Sequence, residues 1–112
     1  MHHADVQEPP IASLSPMPRN LYELWREYTH GIGGRKAAEN FSHQEKGRVK
    51  HKYHRRNVVW KIISGMFKLG FTAETAIDRI YMIYGAPTSV TNIINGIKRD
   101  KKAGTLSPSL RT

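Results

Sequence analysis

The segment "YHRRNVVWKIISGMFKL", residues 53–69, carries the strongest helical pattern in the chain. Two overlapping apolar stripes recur in it at helical spacing: Val59, Ile62, Ile63 and Met66, and then Trp60, Ile63 and Phe67. A helix that is apolar over so wide an arc is typical of the centre of a core. Gly70 follows directly and predicts the end of the helix. The rest of the fold is therefore expected to pack around this segment.

Capping residues predict helices before this segment. Asn20 is a good N-cap, and the glycines of "HGIGG" (30–34) predict the end of the helix that it starts. Residues 35–41 suit a short helix. "SHQE" (42–45) then matches a capping box, which predicts a new helix from residue 42 or 43. The sequence leaves open whether that helix breaks near Gly47 or continues through the basic stretch that follows.

Two more helices are predicted after the central one. Thr72 is placed to cap the first, and Thr88 or Ser89 the second. Four aromatic rings are predicted to fill much of the core: Trp25, Phe41, Trp60 and Phe67. No segment shows the period-2 alternation of a half-buried strand. The predicted fold class is all-α: a compact, helix-turn-helix-like bundle of about five helices.

The chain has 112 residues, which predicts a single small domain. Residues 1–19 hold four of the six prolines and lack apolar periodicity, so a flexible arm or linker is predicted there. The helical domain is expected over residues 20–102, and a disordered tail over residues 103–112. With no cysteine, the chain has no disulfide and no thiolate metal site, which fits a cytosolic or nuclear protein.

The formal net charge of +9 predicts an anionic partner, and most of the charge lies in one stretch. Residues 35–56 contain eight Lys and Arg against two Glu. If residues 48–56 are helical, four of these cations share a face: Arg48, Lys52, Arg55 and Arg56. Because the next turns of the helix are apolar, this basic end would project from a buried anchor, as a recognition helix does. A solvated charged face and a nuclear localisation signal are the alternatives.

Other functions have weaker support in the sequence. His51 and His54 lie three residues apart, and His30 or His43 would have to approach them to complete a zinc site beside several cations. No metal and no cofactor are therefore expected. The chain has no paired-carboxylate or Gly-x-Ser-x-Gly motif, and no enzyme activity is predicted. No apolar run is long enough to cross a bilayer, and no membrane partner is expected.

The ordered part resembles a known family through "LYELWREYTHGIGGRKAAENF" (21–41) and "YHRRNVVWKII" (53–63). These motifs are similar to the DNA-binding domain of the fungal glycolytic-gene and osmostress transcription activators, in a version like that of oomycetes. Similar domains also occur in mobile-element proteins that carry a tyrosine recombinase. The resemblance implies sequence-specific binding of double-stranded DNA in the nucleus. It places the family's basic segment on the following residues: Arg48, Lys50, Lys52, Arg55 and Arg56. Trp25 matches the family's structural tryptophan.

The predicted function is that of a DNA-binding domain of a transcription regulator, with residues 48–56 in the major groove and phosphate clamps at residues 35–36. Arg55 and Arg56 are expected at or near bases. The full set of predicted DNA-binding residues is Arg35, Lys36, Lys46, Arg48, Lys50, Lys52, Tyr53, His54, Arg55 and Arg56. The partner is double-stranded DNA, with transcription co-factors bound by regions outside this chain. A mobile-element recombinase, a structured-RNA-binding protein and a module for acidic proteins remain alternatives.

Overall fold

The computed structural model describes residues 11–86 and 88–110 and is all-α, as predicted. Its described part contains five α-helices: α1 (Leu21–Thr29), α2 (His43–Arg48), α3 (Lys50–Lys68), α4 (Ala73–Tyr84) and α5 (Val90–Ala103). Two short 3₁₀ turns occupy Ala38–Asn40 and Pro108–Leu110. No β-strand occurs in these ranges, although Ile11 and Arg35 form an isolated parallel bridge. Nor is any helix within them long and apolar enough to span a membrane.

Side chains cap four of the helices at the predicted residues. Asn20 accepts a hydrogen bond from the backbone N–H of Glu23 at 2.8 Å, and Thr72 and Ser89 cap α4 and α5 in the same way. The capping box is complete, because the Ser42 hydroxyl accepts from Glu45 N–H and the Glu45 carboxylate accepts from Ser42 N–H. These bonds satisfy backbone N–H groups in the first turn that have no partner within the helix, so local sequence determines where the helices begin.

The centre of the core is α3, as its pattern predicts. Val59, Trp60 and Ile63 are fully buried, and the Trp60 indole N–H donates to the Leu24 carbonyl oxygen at 2.9 Å. The Tyr28 ring stacks on Trp60 at 5.0 Å between centroids, and the Tyr53 ring meets it edge-on at 5.2 Å. Such pairs add about 0.5–1.5 kcal/mol each beyond the area they bury. This packing fixes the rotation of α3 about its own axis.

Two local predictions differ from the structure. Phe67 is 60% exposed instead of buried, although Met66 on the same turn is only 1% exposed, because Phe67 faces the open groove beside Trp25. The predicted short helix over residues 35–41 is only the 3₁₀ turn Ala38–Asn40. Of the two possibilities left open for the helix that begins at His43, the structure shows the break, which lies at Val49, where φ is −121° and ψ is 31°. The basic stretch is thus divided between two helices.

Residues 11–19 are not a free arm in the structure. Leu14 is buried, and the Ser15 backbone N–H and hydroxyl both donate to Glu27 Oε2 at 2.7 Å. Arg56 donates to Glu27 Oε1 at 2.7 Å and to the Ser15 carbonyl oxygen at 2.7 Å. One buried carboxylate thus joins this segment to α1 and α3. Residues 1–10 of the predicted arm lie outside the described residues.

The predicted disordered tail also packs on the domain. Pro108–Leu110 forms a 3₁₀ turn against α4, and Leu110 is buried. A single apolar side chain can hold such a turn against the domain. Because it forms no periodic pattern, the sequence does not predict the packing. Residues 111 and 112 lie outside the described part.

Replacing Gly31 by alanine is expected to destabilise the fold. Gly31 has φ +83°, and a Cβ there would lie 2.0 Å from the Arg35 carbonyl oxygen. The unfavourable backbone conformation alone costs about 1–3 kcal/mol, and the clash adds to it. Chemical denaturation should show the loss. Gly34→Ala is the control, because it has a similar φ of +76° but no atom within 4 Å of its Cβ. Equal losses in the two variants would contradict the clash.

Candidate nucleic-acid interface

The start of α3 is electrostatically unusual for a helix. No side chain caps it, and its first turn carries Lys50, His51 and Lys52 and no acidic residue. The N-terminal end of a helix has a partial positive charge, so cations there are unfavourable by a few tenths of a kcal/mol each. A bound anion would interact favourably with the positive end of the helix dipole and with the lysine ammonium groups.

Six side chains form a single stripe along the solvent side of α3, which we call the outer face. They recur at i, i+4, i+7, i+11, i+14 and i+18: Lys50, His54, Asn57, Lys61, Ser64 and Lys68. The three lysines and His54 are exposed, and Asn57 and Ser64 are partly exposed. No Asp or Glu occurs in α3, and no carboxylate of the described residues pairs with these lysines. The outer face is therefore a polar and positive surface about 28 Å long.

Asn57, Lys61 and Lys68 were missed by sequence reasoning. The expected face was chosen by charge density, which is highest at residues 48–56. The helical period would have revealed these residues. Counting forward from Lys50 in alternating steps of four and three residues reaches each of them, on the side of the helix opposite the buried residues.

The face predicted from Arg48, Lys52, Arg55 and Arg56 does not form as a unit. Arg48 ends α2 on the other side of the break at Val49, and it is exposed. Lys52 is exposed and Arg55 partly exposed, on the flank of α3 that is nearest to α5. Counted at about 100° per residue from Lys50, Lys52 and Arg55 lie about 200° and about 140° round α3, on the side opposite the outer face.

Arg56 is buried in the ion pair with Glu27, and their side chains are only 7% and 2% exposed. The expectation that Arg56 projects toward bases is corrected by this placement, because its donors are used inside the protein. Tyr53 is also buried, against Trp60 and Phe41. Both residues position α3 and do not present a surface.

The other predicted cations have partners within the domain. Lys36 donates to Glu45 Oε1 at 2.9 Å, and Arg35 donates to the Ile32 carbonyl oxygen at 3.2 Å. The Ser42 backbone N–H and the Lys36 ammonium lower the pKa of Glu45. The Lys46 ammonium lies 5.3 Å from the centroid of the Tyr53 ring. The predicted phosphate clamp at residues 35–36 is thus partly committed to internal contacts.

The histidines do not assemble a metal site. Within residues 11–86 and 88–110, no group of three or more His, Cys, Asp or Glu side chains is placed to hold a metal ion. His51 and His54 are exposed on α3, and His30 bonds to the Thr29 hydroxyl at 2.7 Å. Exposed histidines among lysines can instead donate to an anion.

An aromatic groove of about 740 Å³ lies between α1 and the C-terminal end of α3. Trp25, Tyr28 and Phe67 line it, with Arg26 and Lys68 at the same groove. A second groove of about 650 Å³ follows α3 between Lys46, Lys61 and Lys68. Apolar and cationic side chains therefore alternate beside the outer face, and both grooves are open to solvent.

The chain matches a known family over most of the domain just described. The sequence profile of the family described as "Transcriptional activator of glycolytic enzymes" covers residues 13–83. The chain belongs to this family. The match begins within the segment that packs on Glu27 and ends at α4, so it includes α3 and its outer face. The family confirms the resemblance predicted from the two motifs and assigns the chain to transcription regulation.

A curated relative supports the same assignment. The chain is 28% identical over 83 residues to High-osmolarity-induced transcription protein 1 of Kluyveromyces lactis. The aligned region covers 70% of this chain but only 12% of that protein. The domain thus corresponds to a small part of its relative. No solved structure gives a significant match to the chain.

Proposed function

We propose that this domain binds double-stranded DNA sequence-specifically, as the non-enzymatic DNA-binding part of a nuclear transcription regulator. The observation that carries the proposal is the outer face of α3, which is positive along its whole length and has no carboxylate. Membership of a family of transcription activators supports the same function. In this proposal the outer face enters the major groove in the manner of a helix-turn-helix recognition helix.

The chemistry of the outer face suits the major groove, which is about 12 Å wide and admits an α-helix. Asn57 can form two hydrogen bonds to adenine, and Lys50 and Lys61 can bind guanine edges or phosphates. His54 lies between them. The opposite side of α3 is locked by Val59, Trp60 and Ile63, so the helix backbone needs no ordering when the outer face binds.

Lys52 and Arg55 lie on the side of α3 that faces α5, opposite the outer face, so they are not part of the proposed contact surface. Arg48, at the end of α2, would bind the phosphate backbone beside the first turn of α3. Lys36 and Arg35 can bind phosphates only if they release the hydrogen-bond partners that they have inside the domain. Arg56 and Tyr53 are left out of the contact surface because they are buried.

RNA binding is the rival function. RNA readers stack unpaired bases on exposed aromatic rings, and Trp25, Tyr28 and Phe67 line a groove beside Lys68. The outer face itself has no aromatic side chain, so it favours a duplex. A mobile-element recombinase would use the same DNA-binding surface and would differ in its other domains.

A selection experiment tests the proposal. The full chain is incubated with a random duplex library at about 150 mM salt with tRNA as competitor, and bound duplexes are sequenced. We expect a motif of several base pairs. Equal retention of all duplexes, or preference for tRNA, would contradict sequence-specific DNA binding.

A further inference from the structure

We propose that the aromatic groove between α1 and the C-terminal end of α3 docks a peptide segment of a partner protein, one that combines acidic residues with bulky apolar side chains. Ser64 and Lys68 belong both to this groove and to the outer face of α3, so the two surfaces adjoin. The rest of the groove is separate from the outer face. Peptide docking therefore goes beyond the proposed DNA binding and does not depend on it.

The groove exposes aromatic rings to solvent. Phe67 is 60% exposed and Tyr22 is 47% exposed, and both line the groove. Trp25 and Tyr28 are partly exposed beside them. A contiguous apolar surface on a small soluble domain marks an interaction site more often than an isolated apolar residue does.

The rings of the groove are held in place by the fold. Trp25 and Tyr28 lie 5.5 Å apart between centroids, and Tyr28 stacks on the buried Trp60 at 5.0 Å. The Tyr22 hydroxyl donates to Asp78 Oδ1 at 3.1 Å. A preformed floor of this kind binds a ligand without being ordered first, which favours affinity.

The rim of the groove is positive. Arg26, His30 and Lys68 line it and are exposed, and Glu39 is the one carboxylate among the described residues that line it. No carboxylate of the described residues forms an ion pair with Arg26 or Lys68. Charge complementarity therefore selects an acidic partner.

The composition of the groove favours a peptide over a nucleic acid. Aromatic side chains and arginine are enriched at the centres of protein–protein interfaces. A DNA duplex keeps its bases stacked and has no unpaired base to place on the rings. The groove volume of about 740 Å³ accommodates several side chains. Disordered activation segments alternate acidic and apolar residues, so a segment of this chemistry matches both the rings and the rim.

Selection from a displayed library of random peptides of about 12 residues, with the full chain as target, tests the docking site. We expect enriched peptides that combine Asp or Glu with Phe, Leu or Trp. A synthetic peptide of the enriched sequence is then titrated against variants. Phe67→Ser should weaken its binding at least about tenfold, because one ring of the floor is lost. Arg26→Glu should weaken binding most at low salt, since added salt screens the rim charge.

Met82→Ser and Arg19→Glu are the matched controls. Met82 is 84% exposed on α4, Arg19 is exposed just before α1, and neither lines the groove. Both variants should bind the peptide as the native chain does. A library without enriched peptides, enriched peptides without acidic residues, or equal binding by Phe67→Ser and Met82→Ser would overturn the docking site. A dT oligonucleotide that displaces the peptide and loses affinity on Phe67→Ser would assign the groove to single-stranded nucleic acid instead.

Duplex binding by the same variants keeps the two proposals apart. Phe67 lies about 100° round α3 from Lys68 and off the outer face, so Phe67→Ser should keep the native affinity for the selected duplex. Loss of the peptide with retention of the duplex supports a separate docking site. Failure of the duplex selection would overturn sequence-specific DNA binding and leave the peptide result standing. Circular dichroism on every variant verifies that the helices are intact.

Discussion

The free energy of unfolding of the Arg56→Ala variant is expected to be about 3–5 kcal/mol lower than that of the native chain. The substitution leaves the Glu27 carboxylate buried, with its Oε1 oxygen deprived of its 2.7 Å partner. It also releases the carbonyl oxygens of Ser15 and Pro16. Urea denaturation followed by circular dichroism measures the change. A native domain is stable by only about 5–15 kcal/mol, so this loss is a large share.

Two further variants separate the ion pair from general effects of the substitution. Arg55→Ala removes the neighbouring, partly exposed cation and should cost less than about 1 kcal/mol. Arg56→Met with Glu27→Leu removes both charges and should be milder than Arg56→Ala, because no charge is left unpaired. If Arg56→Ala unfolds at the same urea concentration as Arg55→Ala, the buried pair does not hold the fold. A joint Arg55→Ala/Arg56→Ala variant would mix folding with binding and tests neither.

The second large effect is expected from Lys50→Ala, Asn57→Ala and Lys61→Ala combined on the outer face of α3. If each contact contributes at least about 1 kcal/mol, affinity for the selected duplex should fall at least about 100-fold. The three side chains are exposed or partly exposed, so the helices should persist. Asn57→Ala alone should relax the preference at one base pair, since amide contacts read base edges. Titration of the labelled duplex measures both effects.

The matched control removes two positive charges outside α3. Arg19→Ala with Lys101→Ala changes two exposed side chains that line neither groove beside α3 and should leave affinity nearly unchanged. Equal losses in the two variants would mean that net charge, and not the outer face, drives binding. A triple variant that binds the duplex as the native chain does would place the interface elsewhere.

Much of the fold is predictable because the interactions that specify it are local. Asn20, Ser42, Thr72 and Ser89 cap the helices within three residues of chain, so their effect is visible in the sequence. Apolar spacing likewise identifies the buried side of each long helix. Phe67 is the exception, because the local sequence does not show that α1 leaves an open groove on its side of α3.

The candidate site was predicted less completely. Arg55 and Arg56 are adjacent in sequence and equal in chemistry, yet Arg55 is partly exposed to solvent and Arg56 is buried. Their roles differ because the partner of Arg56, Glu27, lies 29 residues away and is held by Ser15 from a third segment. Helical wheels cannot show that contact. The sequence showed where the positive charge is concentrated, and it predicted the direction of the individual side chains only in part.

By itself the sequence determined an all-α domain of an identifiable family, its helix starts and a basic α3 anchored in the core. The helix starts and the anchored α3 follow from capping and apolar period, which act over a few residues, and the family follows from two sequence motifs. The tertiary structure alone decided that α3 begins at Lys50, that Arg56 is internal, and that the stripe with Lys61 and Lys68 faces solvent. Those features depend on how α1 and α5 pack around α3. Only contacts between segments that are distant in sequence set the rotation of α3 about its own axis.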